Sequence, residues 1–323
     1  MKMNVILNVF SCSAQAPCSK WAEKYFPENT ISLVVPNPFS QKAIQWARTG
    51  DLFAAALKEL RPDLKDIEID KRILTTFSVG WVFAHELFNF PKELERLDAY
   101  LLLDGCHTTI LNKWVEYAKR AVVGKSILLM THSSITPPFI SSTKSNTQIM
   151  DGAKKEVACK NLIVPDFVLN LDLEKPITIN LGAAGTKGTS QYLPAISKTW
   201  KKDPLLNVDI YGNLAKLHYS GNDRPDHVYI AWYTSEKMWK WLGSLLNPVI
   251  IKEEPVEIPT ELPPTKCPQE EDEPKITDSS DDVTEIKIEE ESKAMVVKQD
   301  DFITIIIRSI ISFFIAFFSI FKK

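Results

Sequence analysis

At 323 residues, 45% hydrophobic and 24% charged, the chain has the composition of a globular protein with one sizeable core, which excludes a small disulfide-stapled domain and a wholly disordered chain. Its five cysteines, Cys12, Cys18, Cys106, Cys159 and Cys267, are odd in number and lack C-x-x-C or clustered Cys/His spacing, so neither a disulfide framework nor a zinc site is expected. The net charge is −3, and nucleic acid is not expected as a partner.

The opening stretch MKMNVILNVFSCSAQA can be scanned as a basic start, a short apolar run and a small-residue cleavage site. The run is interrupted by Asn4 and Asn8, and the preferred reading is a first core strand, Asn4 to Phe10. Strand-like apolar runs follow at Ile31 to Val35, Ile73 to Phe77, Ala99 to Leu103, Ile127 to Met130 and Val208 to His218. Between them Gly50 to Leu60, Trp81 to Phe88, Leu111 to Val122 and Thr147 to Cys159 have the spacing of helices. Such alternation predicts an α/β fold over residues 1–250, with a mostly parallel sheet and helices on both faces. No internal repeat or phosphate-binding glycine loop is visible; GAAGTKG at 182–188 lacks the Walker spacing and reads as a loop. The surrounding segment, Thr178 to Asn207, can form a lid over a site or a plain surface excursion.

Sites in such sheets lie at the carboxyl ends of the strands. Those ends carry Ser11-Cys12-Ser13-Ala14, Ser78, Asp104-Gly105-Cys106-His107 and Thr131-His132-Ser133-Ser134. In Thr76-Phe77-Ser78-Val79-Gly80 a serine stands between a strand and a helix, with small residues two positions to either side. This is the pattern of a nucleophile elbow, with Thr76 where the usual motif has glycine.

The order and content of these pieces resemble the α/β-hydrolase superfamily over residues 4 to 246. LLLDGCH at 101–107, THSSITPP at 131–138 and GND…DH at 221–227 are similar to less characterised phage and bacterial hydrolase-like proteins. The resemblance implies a triad in the chain order serine, acid, histidine, with Ser78 as nucleophile. The strand after next from the elbow, where the acid usually falls, ends in Thr131-His132-Ser133 without a carboxylate, so Asp104, ending the strand before, is the candidate acid. A turn-forming or helix-capping role is its alternative, and Asp223 and Asp226 are fallback acids. His227 lies beyond the last strand, directly before a helix containing Trp232, Trp239 and Trp241, and is the candidate base; an exposed histidine at a helix start is its alternative. His218, inside the strand, is expected to be structural.

The expected chemistry is acyl transfer to water without a cofactor. His227 takes the Ser78 proton, Asp104 holds the imidazole, and the acyl-serine is then hydrolysed. The oxyanion hole would use the backbone N–H of Val79 and one from the loop at Ser11 and Cys12. His107 and His132 are expected to support the triad by hydrogen bonding. An Asp/His metal cluster with Asp104 and His227 is the alternative, though no ligand spacing favours it, so no metal is expected. His85, on the helix after the elbow, is expected to pack or cap.

Past residue 250 the composition changes. Lys252 to Lys293 holds fifteen Asp and Glu against five Lys, with six Pro and no aromatic residue, a net −10 that leaves +7 for the rest. Such a stretch cannot bury enough apolar surface to offset its ordering entropy, and 251–300 is read as a disordered acidic linker. Phe302 to Phe321 then supplies twenty residues, enough to cross a bilayer as a helix, interrupted by Arg308 and followed by Lys322 and Lys323. Residues 301–323 are expected to be a single C-terminal membrane anchor. Thr304, Arg308, Ser312 and Ser319 share one helical face, so an interfacial or self-associating helix is the alternative. The expectation from sequence is thus a membrane-tethered serine hydrolase of ester or lipid-like substrates. Its rivals are a catalytically inactive hydrolase fold serving as a binding or lysis-associated membrane module, and a pore-forming C-terminal helix.

Overall fold

A computed structural model describes residues 2–10, 18–35, 41–107, 112–134, 142–169, 177–180, 190–193, 205–220 and 224–247, with backbone alone at 10, 18–20, 23, 79, 177–180, 190–193 and 224–233. The chain runs β1 (Lys2–Phe10), α1 (Cys18–Tyr25), β2 (Thr30–Val35), α2 (Lys42–Ala47), α3 (Leu52–Leu60), β3 (Glu68–Phe77), α4 (Trp81–Leu87), α5 (Pro91–Arg96), β4 (Ala99–Leu103), α6 (Asn112–Val122), β5 (Ile127–His132), α7 (Ser142–Ala153), α8 (Asp166–Leu169), β6 (Ile177–Asn180), β7 (Ser190–Leu193), β8 (Leu205–Tyr211), β9 (Leu214–Tyr219) and α9 (Arg224–Leu246). This is an α/β fold. Seven strands form one sheet in the order β2-β1-β3-β4-β5-β9-β8, parallel except for the edge strand β8.

Strands buried on both faces need apolar residues at nearly every position, and the runs of β1, β4 and β5 meet that demand. Alternate residues feed two cores. Leu7, Leu74, Leu102, Met130 and Leu214 point toward the layer containing α2, α3, α4, α6 and α7. Ile6, Ile73, Leu101, Leu129 and Leu217 point toward α1, α8 and α9. Of the two asparagines interrupting β1, Asn4 donates from Nδ2 to Thr30 Oγ1 at 3.1 Å, and Asn8 is absorbed at both ends of its amide. Asn8 donates from Nδ2 to Ser32 Oγ at 2.6 Å and to the Leu33 carbonyl at 3.2 Å, and its Oδ1 accepts from Thr75 Oγ1 at 2.7 Å. A buried amide with both ends used costs little, so β1 holds a central place between β2 and β3.

Three expectations change. The run Val208 to His218 is two antiparallel strands, turned through Gly212 and Asn213, with Tyr211 paired to Leu214. Gly212 has φ 60°, the positive value that a two-residue hairpin loop with glycine first requires. The helix read at Thr147 to Cys159 begins earlier and ends earlier, as α7. Cys159 is disulfide-bonded, a bridge that the scattered cysteine spacing does not announce, while Cys106 is a free, buried thiol. Of the suspected lid, the described parts are the antiparallel pair β6 and β7 and the start of β8. The loop at 182–188, the linker at 251–300 and the anchor at 301–323 lie outside the described residues. Among the described residues no helix is long and apolar enough to cross a membrane.

Candidate functional site

The register of the parallel strands sets the site. Phe77 pairs with Leu103, Leu103 with Thr131, and Thr131 with Leu217. One residue beyond that row stand Ser78, Asp104, His132 and His218, at the carboxyl ends of β3, β4, β5 and β9. Three of the four were expected there from sequence; His218 was set aside as structural.

Among the described residues, the non-glycine residues with positive φ are Ser78 at 52°, Asp104 at 38° and Cys106 at 70°. Left-handed backbone costs an L-residue about 1–2 kcal/mol, and it accumulates where surrounding structure holds it for a purpose. All three fall on the adjacent ends of β3 and β4. Ser78 is buried and opens a single 3-10 turn, Ser78–Gly80, that passes straight into α4. The turn is tight because Gly80 lies against β1. A Cβ there would come within 2.3 Å of the Val9 carbonyl oxygen and 3.3 Å of Thr76 Cβ. Gly105 is similarly confined, since a Cβ would meet Ser78's carbonyl oxygen at 2.9 Å. The threonine that replaces the usual glycine at position 76 is accommodated. It is fully buried, and its hydroxyl is hydrogen-bonded to Tyr100 Oη at 2.8 Å.

Asp104 is wholly buried. Its Oδ1 accepts from the Ser133 backbone N–H at 2.8 Å and from Ser142 Oγ at 3.2 Å, and its Oδ2 accepts from Ser133 Oγ at 2.8 Å. Its own N–H donates to the Thr131 carbonyl at 2.8 Å. A carboxylate can remain in such a place only when donors replace its lost water, and the tail of β5 and the first turn of α7 supply them.

Beside it, the rings of His132 and His218 stack with centroids 4.4 Å apart and planes 18° apart. Thr143 Oγ1 gives its hydrogen to the Ser133 carbonyl at 2.8 Å, so at 3.2 Å it accepts from His132 Nδ1–H. The proton of the neutral ring therefore sits on Nδ1. Burial lowers the pKa of His132 to about 3, with the neighbouring His218 adding to the shift. Burial and then the Lys216 ammonium lower that of His218, whose Nε2 lies 2.8 Å from Ser134 Oγ. Lys216, nearly buried, reaches Thr147 Oγ1 at 3.3 Å and Asp209 at 3.7 Å. Sequence reasoning missed Lys216 and the support from α7. The available signal was the two-residue period, which puts Lys216 and His218 on the face of Leu214.

Strands about 4.8 Å apart leave Ser78 beside Asp104 and put His218, three strands away, about 14 Å off, too far to act as its base. His227 lies inside the first turns of α9 rather than in a loop before it, and its side chain is outside what is described. Asp223, Ser11 and Cys12 also lie outside the described residues. Val79 contributes its backbone within the 3-10 turn. His107 is half-buried next to Cys106, whose thiol pKa is pushed far up by burial, so that it stays protonated and inert. His85 packs as expected. Its ring meets Trp81 edge-on at 5.8 Å, its Nδ1 accepts from Trp114 Nε1 at 3.3 Å, and burial lowers its pKa to about 4. Among the described residues no group of three or more His, Cys, Asp or Glu is placed to hold a metal ion.

No family model matches this chain, and no curated protein matches it.

Proposed function

We propose that the chain is a serine hydrolase of the α/β-hydrolase type, cleaving an ester through an acyl-serine at Ser78. The observation that carries this reading is the Ser78 backbone at φ 52°, buried at a strand-to-helix turn whose tightness depends on Gly80 lying against β1. Backbone strain of this kind collects at functional sites, and a nucleophile aimed off the end of a sheet is a physical reason for a serine to carry it. Asp104 serves as the acid and His227 as the base. Val79 N–H, with an amide from the Ser11 to Cys12 loop, receives the oxyanion, each donor contributing about 3 kcal/mol in the transition state. Residues 301–323 tether the domain to a membrane. The acidic stretch between, some fifty residues, gives it a reach of roughly 40 Å toward lipid or envelope esters.

The test is turnover of p-nitrophenyl butyrate by wild type, Ser78→Ala and His227→Ala, with labelling by a serine-directed phosphonate. Turnover and labelling by wild type, both lost in Ser78→Ala, support the reading. An inert, unlabelled wild type refutes it and favours the inactive membrane-module alternative. Flotation with phosphatidylcholine vesicles, lost when 301–323 is removed, tests the tether; a full chain that stays out of the vesicle fraction sinks it.

A further inference from the structure

We infer that Ser133 and Ser142 are positioning residues that fix the plane of the Asp104 carboxylate for catalysis, an inference that rests on the serine-hydrolase reading above. Ser133 is the decisive one. Its backbone N–H and its hydroxyl each reach a different carboxylate oxygen at 2.8 Å, so one residue spans both oxygens and resists rotation of the group. Ser142, the first residue of α7, adds its hydroxyl to Oδ1 at 3.2 Å and ties the carboxylate to a second element. Asp104, Ser133 and Ser142 are each fully buried, so water does not compete for these bonds. The Asp104 backbone is itself held in left-handed geometry at φ 38°.

The acid of a triad works by direction. It selects the imidazole tautomer, holds the ring and stabilises the imidazolium. Whatever sets the carboxylate plane therefore sets the rate without touching substrate. Ser133 follows directly from β5 and moves with the sheet, whereas Ser142 moves with α7. The acid is thereby referenced both to the strand row that carries Ser78 and to the helix that covers it.

Ser133→Ala and Ser142→Ala, made in the full chain, would be assayed with p-nitrophenyl butyrate from acid to alkaline pH, with melting followed by circular dichroism. Loss of a hydrogen bond to a charged group predicts a fall in kcat of about ten-fold for Ser133→Ala. The fall is smaller for Ser142→Ala, and KM is unchanged in both. A carboxylate stripped of a donor attracts the imidazolium more strongly, so the acidic limb of kcat/KM moves to higher pH. A purely structural role would not move that limb. Wild-type kinetics in both variants overturn the inference. So does a fall in kcat without a moved limb, or the failure of both variants to melt cooperatively. A wild-type chain inert toward the ester and unlabelled at Ser78 is a different failure, visible before any variant is made; it ends the hydrolase reading and this inference with it.

Discussion

Ser78 holds a left-handed backbone without the freedom of glycine, and that strain is a measurable quantity. Ser78→Ala keeps the Cβ and the strain, while Ser78→Gly removes both. The glycine variant should be the more stable of the two by about 1 kcal/mol, and both should be inactive. Urea unfolding of the pair decides it; equal midpoints would mean that the turn is relaxed. Thr76 invites a second measurement. Its hydroxyl and that of Tyr100 are each fully buried and paired with one another. Thr76→Val keeps the shape and strands the phenol, and should cost about 1–3 kcal/mol in the same assay. A neutral result would show the Tyr100 hydroxyl finding another partner.

The strand-to-helix turn depends on one missing side chain. A methyl on Gly80 would press on the Val9 backbone, which cannot rotate aside as a flexible side chain could. Gly80→Ala should therefore lose stability at the upper end of the ~1–3 kcal/mol typical of overpacking. It should also abolish phosphonate labelling by moving Ser78, and a labelled, stable Gly80→Ala would contradict the close approach of β1. The β8–β9 hairpin was legible in principle. Gly212-Asn213 between apolar alternations is a hairpin signal, and reading through it merged two strands into one. The start of α7 was less legible. Its buried face begins with Ser142, Ser145 and Asn146, polar residues that mimic an exposed segment, and only the fold shows that Ser142 turns inward to Asp104.

Across the whole molecule, the buried imidazoles set the response to acid. The pKa of His132 falls to about 3 and that of His85 to about 4, against 6.5 for the free group, and His218 is lowered too. The unfolded chain therefore binds more protons than the folded one below about pH 6.5, and stability, full above that value, drains away as pH falls toward 3. Glu93, raised by burial, acts in the opposite sense, because its folded form takes up a proton more readily. Unfolding midpoints measured down the acid range should fall, and His132→Gln should flatten the slope; a midpoint indifferent to pH would mean that the histidines are hydrated. Much of this architecture was legible in advance. Apolar runs and helical spacing report burial directly, since burial is a property of each segment's own composition, so the α/β fold, its central strands and the strand-end residues Ser78, Asp104 and His132 could be read from the chain. Register, backbone strain and the partners of buried polar groups could not. They depend on which distant segments meet: Ser133 and Ser142 closing on Asp104, Tyr100 pairing with Thr76, β1 pressing on Gly80, His218 lying against His132. A hydroxyl or imidazole has the same sequence symbol whether water or a carboxylate satisfies it, and only the packed sheet and helices decide which.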